Sequence, residues 1–184
     1  MSRLFGIGDT HFHHENIITY CRRPFRSAAE MNEVLIENWN KAVDDKDIVL
    51  HFGDWLLGTT EQMFENIQRL KGKKYLIKGN HDPQSIMKLE DRLGFERAFK
   101  DPLECAGLVL SHEPIRTELV NIHAHQHRRF RNYPPQVFKE GRYCISCENT
   151  GYKPILFTEI LELLGCSESY SRQVIEEIKR QLLD

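Results

Sequence analysis

The residues of this sequence that could do chemistry form short clusters of aspartate, histidine and asparagine. Asp9 and His11 lie two positions apart, as do His125 and His127, and residues at that spacing point to the same side of an extended segment. Carboxylate, imidazole and amide groups together bind divalent Mn, Fe, Zn, Ni, Co or Mg without any thiolate. We therefore expect a divalent-metal site. The candidate side chains are Asp9, His11, Asp54, Asn80, His81, Asp82, His112, His125 and His127.

The elements that must position these clusters alternate between strands and helices. Five β-type runs each end at a polar cluster, and ligand sites in α/β proteins collect in the loops at strand ends. Glycine before Asp54 and before Asn80 permits tight turns at both places. One shared site is therefore expected. The runs are residues 4–7, 48–52, 75–77, 108–110 and 119–122; helices are predicted after the capping box Ser27-Ala28-Ala29-Glu30 and over residues 59–70, 85–93, 158–164 and 169–183.

The composition is that of an ordinary globular protein. The chain has 184 residues, 40% hydrophobic and 28% charged, which favours one domain over residues 1–184. A net charge of −2 does not indicate a broad basic face for duplex DNA, and contact with nucleic acid stays open. No apolar run reaches the length of a membrane span, so no membrane partner is expected. The five cysteines are irregularly spaced, which favours a reducing cytoplasm over a disulfide framework.

Taken in order along the chain, the clusters resemble the motifs of the calcineurin-like metallophosphoesterases, most of all the small single-domain bacterial and phage members. Two further segments, Arg23-Pro24-Phe25 and Asn38-Trp39-Asn40, are similar to that family. The resemblance implies an α/β fold in which a sandwich of two mostly mixed sheets is flanked by helices. The motifs are Asp9-Thr10-His11, Gly53-Asp54, Gly79-Asn80-His81-Asp82, Ser111-His112 and His123-Ala124-His125-Gln126-His127.

The resemblance also implies a role for each motif residue. Two divalent metal ions are expected, with Mn²⁺ the first choice, and Asp54 would bridge them. His81 would be the catalytic histidine, and Asp82 would orient it. Ala124 stands where the family usually has glycine, which bears on the local backbone rather than on the metals. One ion would be held by Asp9, His11, Asp54 and His127, and the other by Asp54, Asn80, His112 and His125.

The predicted activity is metal-dependent hydrolysis of a phosphate ester, with phosphodiesters favoured. Two divalent ions, two aspartates and a bridging hydroxide leave a formal charge of about +1, which attracts a phosphate. The hydroxide would attack phosphorus, and His81 would protonate the leaving group as a general acid. Three alternatives stay open: a phosphomonoesterase or nucleotide pyrophosphatase-type hydrolase, a nuclease, and a non-catalytic metal-binding interaction scaffold.

Three arginines are candidates for contact with the substrate, namely Arg23, Arg116 and Arg128. Arginine suits this task because its planar fork donates two parallel hydrogen bonds to a phosphate. An ordinary solvated surface is the alternative for each of them. His51 lies inside a strand pattern, where it would be a core residue or a support for a metal ligand.

Overall fold

A computed structural model of the chain shows two five-stranded sheets with helices packed beside them. The structure describes residues 2–85, 88–92, 94–100, 102–127, 138–139 and 141–184. The strands, in chain order, are β1 (Leu4–Ile7), β2 (Ile48–His51), β3 (Lys73–Ile77), β4 (Arg97–Phe99), β5 (Leu103–Cys105), β6 (Leu108–Ser111), β7 (Val120–His123), β8 (Phe138–Lys139), β9 (Arg142–Cys144) and β10 (Ile155–Leu156). The helices are α1 (Glu15–Tyr20), α2 (Ala28–Ala42), α3 (Thr60–Arg69), α4 (Phe157–Leu163) and α5 (Glu168–Leu183).

Parallel strands dominate the centre of each sheet. The first sheet has the order β10-β1-β2-β3-β4, in which β1 to β4 are parallel and β10 is antiparallel. The second has the order β5-β6-β7-β9-β8, in which β6, β7 and β9 are parallel. Ligand sites in such sheets lie outside the carboxyl ends of the strands. Each predicted ligand cluster follows one of these parallel strands, which confirms the α/β class and the two-sheet architecture flanked by helices.

Both faces of the first sheet are buried, which explains why its strands read as continuous apolar runs instead of alternating ones. Phe5 and Val49 belong to a core that includes residues of α2 and α3. Leu4 and Leu50 belong to a second core, shared with the second sheet and with α4 and α5. Packing on two sides fixes β1 and β2, from whose ends the site begins.

The helix α2 begins at the predicted capping residue. The Ser27 hydroxyl accepts the Glu30 N–H at 3.2 Å, an interaction worth about 1 kcal/mol at such positions. The predicted box is half formed, because the Glu30 carboxylate accepts the Arg26 N–H instead of that of Ser27. At α3 the box is complete, with Thr59 and Gln62 as its partners.

Several short elements differ from the prediction. The helix predicted over residues 85–93 is described at Lys88–Arg92, where it is a π-helix rather than an α-helix; residues 86, 87 and 93 lie outside the described part. The strands β4 and β5 and the helix α1 have no counterpart in the prediction. Elements of three to six residues are too short to show a hydrophobic period.

Candidate metal centre

The carboxyl ends of the two sheets meet where the chain continues past β1. Gly8 forms an isolated bridge with the segment after β9. The Asp9 N–H donates to the Gly53 carbonyl at 3.0 Å, and the His11 N–H donates to the Asp54 carbonyl at 3.0 Å. These main-chain bonds lock the loop after β1 to the loop after β2, so that side chains from both sheets converge on one edge.

The first group of candidate ligands, the Asp9 cluster, consists of Asp9, His11 and His127. One ligand atom from each lies within 4.8 Å of the others. Asp9 and His11 are buried, and the Nε2 atoms of His11 and His127 are 3.2 Å apart. Both rings therefore present the same nitrogen to one point beside the Asp9 carboxylate.

The second group, the His112 cluster, consists of Asp54, His112 and His125, again with one ligand atom from each within 4.8 Å of the others. The Oδ1 atom of Asn80 is 2.9 Å from His112 Nε2 and 3.1 Å from His125 Nδ1. The predicted amide ligand thus lies beside the two predicted imidazoles. The structure brings all seven predicted metal ligands into these two neighbouring groups.

Asp54 lies between the two clusters. Its Oδ2 atom is 3.6 Å from His11 Nε2 and 3.5 Å from His112 Nε2. Its Oδ1 atom accepts the His81 N–H at 2.9 Å, which fixes the orientation of the carboxylate. One oxygen therefore faces ligand atoms of both clusters, as a bridging ligand must.

The donor set fits divalent cations. Asp9 Oδ1 is buried and has no hydrogen-bond partner within the described residues, whereas buried polar atoms are normally satisfied. Burial raises the pKa of Asp9 to about 6, although the Ser146 hydroxyl donates to its other oxygen. A cation at this point would supply the missing partner. The oxygen and nitrogen ligands suit Mn²⁺ and similar ions.

Charge couples the ligands across the site. Burial alone would lower the pKa of His112, but its hydrogen bond to Asp54 and the charge of Asp9 raise it to about 9. Burial alone would raise the pKa of Asp54, yet the hydrogen bond and charge of His112 hold it well below its usual range. Burial lowers the pKa of His11 to about 2. A cation would therefore compete with a proton more strongly at His112 than at His11.

The ligand loops hold a strained backbone. Asp9, His11, Asp54 and His125 have φ values of 54°, 49°, 53° and 63°, in the left-handed region. Each such non-glycine residue costs about 1–3 kcal/mol, and this strain concentrates at functional sites. Gly79 is required by a close approach, because a Cβ there would overlap Asp54. The chain accepts this cost in stability at the residues that place candidate ligand side chains, as functional sites commonly do.

The two predicted catalytic residues lie in different surroundings. His81 is exposed at the mouth of the site, with its ring centroid 5.5 Å from that of His11. Asp82 is buried, and both of its oxygens accept backbone N–H groups, at 2.8 to 2.9 Å; its expected help in orienting His81 stays a prediction. These bonds fix the loops that carry Asp54 and Asn80. The donors to Asp82 are Asp54, Trp55 and Gly79.

Arg23 lies beneath the site, which corrects its expected contact with substrate. Its side chain is 0% exposed. Its guanidinium donates to the Thr10 carbonyl at 2.9 Å, to the Asp9 carbonyl at 2.6 Å and to Glu148 at 2.8 Å. With these acceptors it supports the loop after β1 from the protein interior, where a phosphate ester does not reach.

The other two candidate arginines lie elsewhere. Arg116 is exposed and lines a shallow pocket with Thr117 and Arg142, at the surface of the second sheet. Arg128 lies outside the described residues. Contact of either with a substrate stays a prediction.

Ser146 and Glu148, which lie behind the Asp9 cluster, were not among the residues predicted from the sequence. Ser146 donates to the Asp9 carboxylate. Glu148 is buried, with Oε1 3.1 Å from His127 Nδ1 and 2.8 Å from Arg23 Nε. Cys21 lies close to the same side of His127. One signal could have found them, because both Ser146 and Glu148 follow directly after β9, as the other clusters follow their strands.

Burial opposes the charged state of the Glu148 side chain and that of the His127 side chain. Against burial, the charge of Arg23 and the hydrogen bond from His127 lower the pKa of Glu148 to about 2. Also against burial, hydrogen bonds with Cys21 and Glu148 raise the pKa of His127 to about 11. Both shifts include the hydrogen bond between His127 and Glu148, whose Nδ1 and Oε1 atoms are 3.1 Å apart.

Two further residues support the loops around the site. His51 is fully buried, and its Nε2 lies 3.0 Å from the Thr10 hydroxyl, in the supporting position proposed for it. Ala124 has no positive φ, so its methyl group brings no strain. It packs against Gly8, where an added Cβ would lie 2.5 Å from the Ala124 methyl.

Comparison with known proteins places this site in a family. The family described as calcineurin-like phosphoesterase matches residues 2–180 of the chain. The chain belongs to this family. Membership of the calcineurin-like phosphoesterases, together with the two clusters of candidate ligands, supports a metal-dependent phosphoesterase that acts on a phosphate ester. Two mixed sheets with flanking helices agree with the fold that this family implies.

Two relatives of this calcineurin-like phosphoesterase have no assigned function. An uncharacterized protein of Methanocaldococcus jannaschii is 36% identical over 174 residues, which cover 89% of this chain and 92% of that protein. A crystal structure of a protein of unknown function from Aquifex aeolicus has a TM-score of 0.68 at 25% identity, covering 89% of this chain and 100% of that one. Neither description names a substrate. Across the described residues, every helix is too short or too polar to cross a lipid bilayer.

Proposed function

We propose that this calcineurin-like phosphoesterase hydrolyses phosphodiesters with two divalent ions held side by side, Mn²⁺ first among the candidates. The observation that carries the proposal is the position of Asp54, whose Oδ2 faces His11 and His112 at 3.6 and 3.5 Å. Asp54 itself belongs to the His112 cluster, so a single carboxylate oxygen lies beside ligand atoms of both clusters. The ligands of one ion would be Asp9, His11, Asp54 and His127, and those of the other Asp54, Asn80, His112 and His125.

The charges of the ligands favour an anionic ester. When bound, two divalent ions at about 3.5–4 Å clamp a phosphoryl group and lower the pKa of a water toward about 7. The chain contributes two negative charges, from Asp9 and Asp54, and otherwise neutral imidazoles and one amide. With one hydroxide counted, the formal charge is about +1, which balances the single charge of a diester better than the double charge of a monoester.

His81 is the proposed general acid. Its backbone N–H is bonded to Asp54 Oδ1 at 2.9 Å, and its side chain is exposed beside the clusters. From this position the imidazole can hold a proton next to the leaving oxygen and donate it as the ester bond breaks. General acids contribute typically about 10²–10⁴-fold, most of all where the leaving alkoxide is strongly basic.

We propose three further properties of the chain, which concern its domain, Arg116 and its location. Residues 1–184 form one domain, supported by a site that draws ligands from both sheets. Arg116 contacts the distal part of the substrate, supported by its exposure and by Arg142 in the same pocket. A cytoplasmic location is supported by the five free cysteines.

The activity is tested with two chromogenic esters. Protein stripped with a chelator and reloaded with Mn²⁺ should hydrolyse bis(p-nitrophenyl) phosphate faster than p-nitrophenyl phosphate, and the stripped protein should hydrolyse neither. Asp47→Asn is the matched control, because Asp47 is a buried carboxylate bonded to Arg3 at the opposite end of β2. Reloaded protein without activity on either ester would contradict a phosphoesterase, and faster hydrolysis of the monoester would contradict the diester preference.

A further inference from the structure

Arg23 and Glu148 form a buried ion pair that contributes no proposed metal ligand. Their side chains are 0% and 3% exposed, and they lie 125 positions apart in the sequence. A buried pair often adds no net stability, because both charges lose their hydration. What the pair holds in place is therefore more informative than its contribution to folding.

On one side, the pair holds the loop after β1. The Arg23 Nη1 atom donates to the Thr10 carbonyl at 2.9 Å, and its Nη2 atom donates to the Asp9 carbonyl at 2.6 Å. These carbonyls belong to Asp9 and to Thr10, which precedes His11. Asp9 and His11 both have positive φ. The guanidinium therefore fixes the backbone of two ligands of the Asp9 cluster.

On the other side, the pair holds the third ligand of the same cluster. Glu148 Oε1 lies 3.1 Å from His127 Nδ1, where it accepts the N–H of the ring. With its proton on Nδ1, the imidazole keeps a free lone pair on Nε2, the nitrogen that faces His11 at 3.2 Å. Loss of such a partner behind a metal-ligating histidine typically costs about 10–100-fold in metal affinity.

In the His112 cluster, a main-chain carbonyl rather than a carboxylate lies behind the histidine ring. His112 Nδ1 lies 2.7 Å from the Phe52 carbonyl, so a main-chain oxygen takes the place that Glu148 has behind His127. His112 therefore depends on the end of β2 and not on the buried pair. A substitution of Glu148 should therefore affect cation binding by the Asp9 cluster and not by the His112 cluster.

We propose that Glu148, anchored by Arg23, is a positioning residue that sets the cation affinity of the Asp9 cluster separately from that of the His112 cluster. This inference rests on the proposed function, since it requires both clusters to hold cations. A substitution in the Arg23–Glu148 pair should then weaken cation binding at the Asp9 cluster and leave cation binding at the His112 cluster unchanged.

Calorimetric titration of chelator-stripped protein with Mn²⁺ tests this separation. Wild-type protein should bind two equivalents. Glu148→Gln keeps the side-chain size but removes the charge, and should weaken one equivalent by about 10–100-fold while leaving the other unchanged. Asp47→Asn makes the same chemical change at a buried carboxylate paired with Arg3, and should leave both equivalents unchanged.

A second variant and a second readout guard against simple unfolding. Arg23→Lys keeps a cation for Glu148 but loses the fork to the two carbonyls, and should weaken the same single equivalent. In Zn²⁺-loaded protein labelled with ¹⁵N-histidine, Glu148→Gln should shift the Nδ1 signal of His127 and not that of His112.

The outcomes separate the two claims. Equal weakening of both equivalents, or no weakening in either variant, would overturn the positioning role while leaving the proposed function intact. Wild-type protein that binds no Mn²⁺ would defeat the proposed function, and the inference with it.

Discussion

The Asp9 cluster and the His112 cluster use the same kinds of ligand but are supported in different ways. His112 is held by the Phe52 carbonyl at 2.7 Å, whereas His127 is held by the Glu148 carboxylate at 3.1 Å. A main-chain acceptor comes with the strand and cannot be removed by changing a side chain. A buried carboxylate can be altered by a single substitution. We therefore expect that a side-chain substitution can alter the support of the Asp9 cluster and leave the support of the His112 cluster in place.

The two clusters also differ in depth. Asp9 and His11 are almost wholly buried, while His125 is the exposed member of the His112 cluster. His81 is exposed as well, which puts the proposed general acid on the open side of the site. The open side of the site is therefore the side of His125 and His81, and the buried side chains of Asp9 and His11 lie deeper.

Asp54→Asn should have the largest effect, because this carboxylate faces both clusters and its charge is lost. Turnover of bis(p-nitrophenyl) phosphate should fall to about the rate of the stripped protein, and Mn²⁺ titration should show both equivalents weakened. Asp47→Asn again controls for the loss of a buried carboxylate. Wild-type turnover in Asp54→Asn would show that the clusters do not share a ligand.

His81→Ala should have the next largest effect on turnover and should not alter cation binding by either cluster. Both Mn²⁺ equivalents should bind as in the wild type, while kcat falls by about 10²–10⁴-fold on esters with basic leaving groups. The loss should shrink for p-nitrophenol, which needs little protonation to leave. Equal losses across leaving groups of widely different pKa would rule out a general-acid role.

Ser146→Ala should have the smallest effect and should be confined to the Asp9 cluster. The Ser146 hydroxyl donates to the Asp9 carboxylate, and a hydrogen bond of this kind contributes about 0.5–1.5 kcal/mol, or up to about tenfold in affinity. One Mn²⁺ equivalent should weaken by that amount in a calorimetric titration. Weaker binding of the Mn²⁺ equivalent assigned to the His112 cluster would contradict the inference that the two clusters are supported separately.

The strands and ligand clusters could be predicted because their signals are local. Leu4–Ile7 and Ile48–His51 are apolar runs that stop at polar residues, and a strand buried on both faces has to be apolar throughout. Helix starts at Ser27 and Thr59 are local as well, since the capping side chain bonds a backbone N–H three residues on.

The supports of the site could not be predicted because their partners are distant in sequence. Arg23 looks like a surface arginine until Glu148, 125 positions away, is seen beside it. Asp82 follows His81 directly, yet its carboxylate reaches back to the N–H groups of Asp54 and Trp55. Polarity in a sequence marks a residue that needs partners, and only the packing of the sheets decides which ones it has.

Anomalous diffraction from crystals of the Mn²⁺-loaded protein locates the bound ions directly. We expect two manganese peaks about 3.5–4 Å apart, one on each side of the Asp54 carboxylate. A single peak, or two peaks that do not share Asp54, would contradict it.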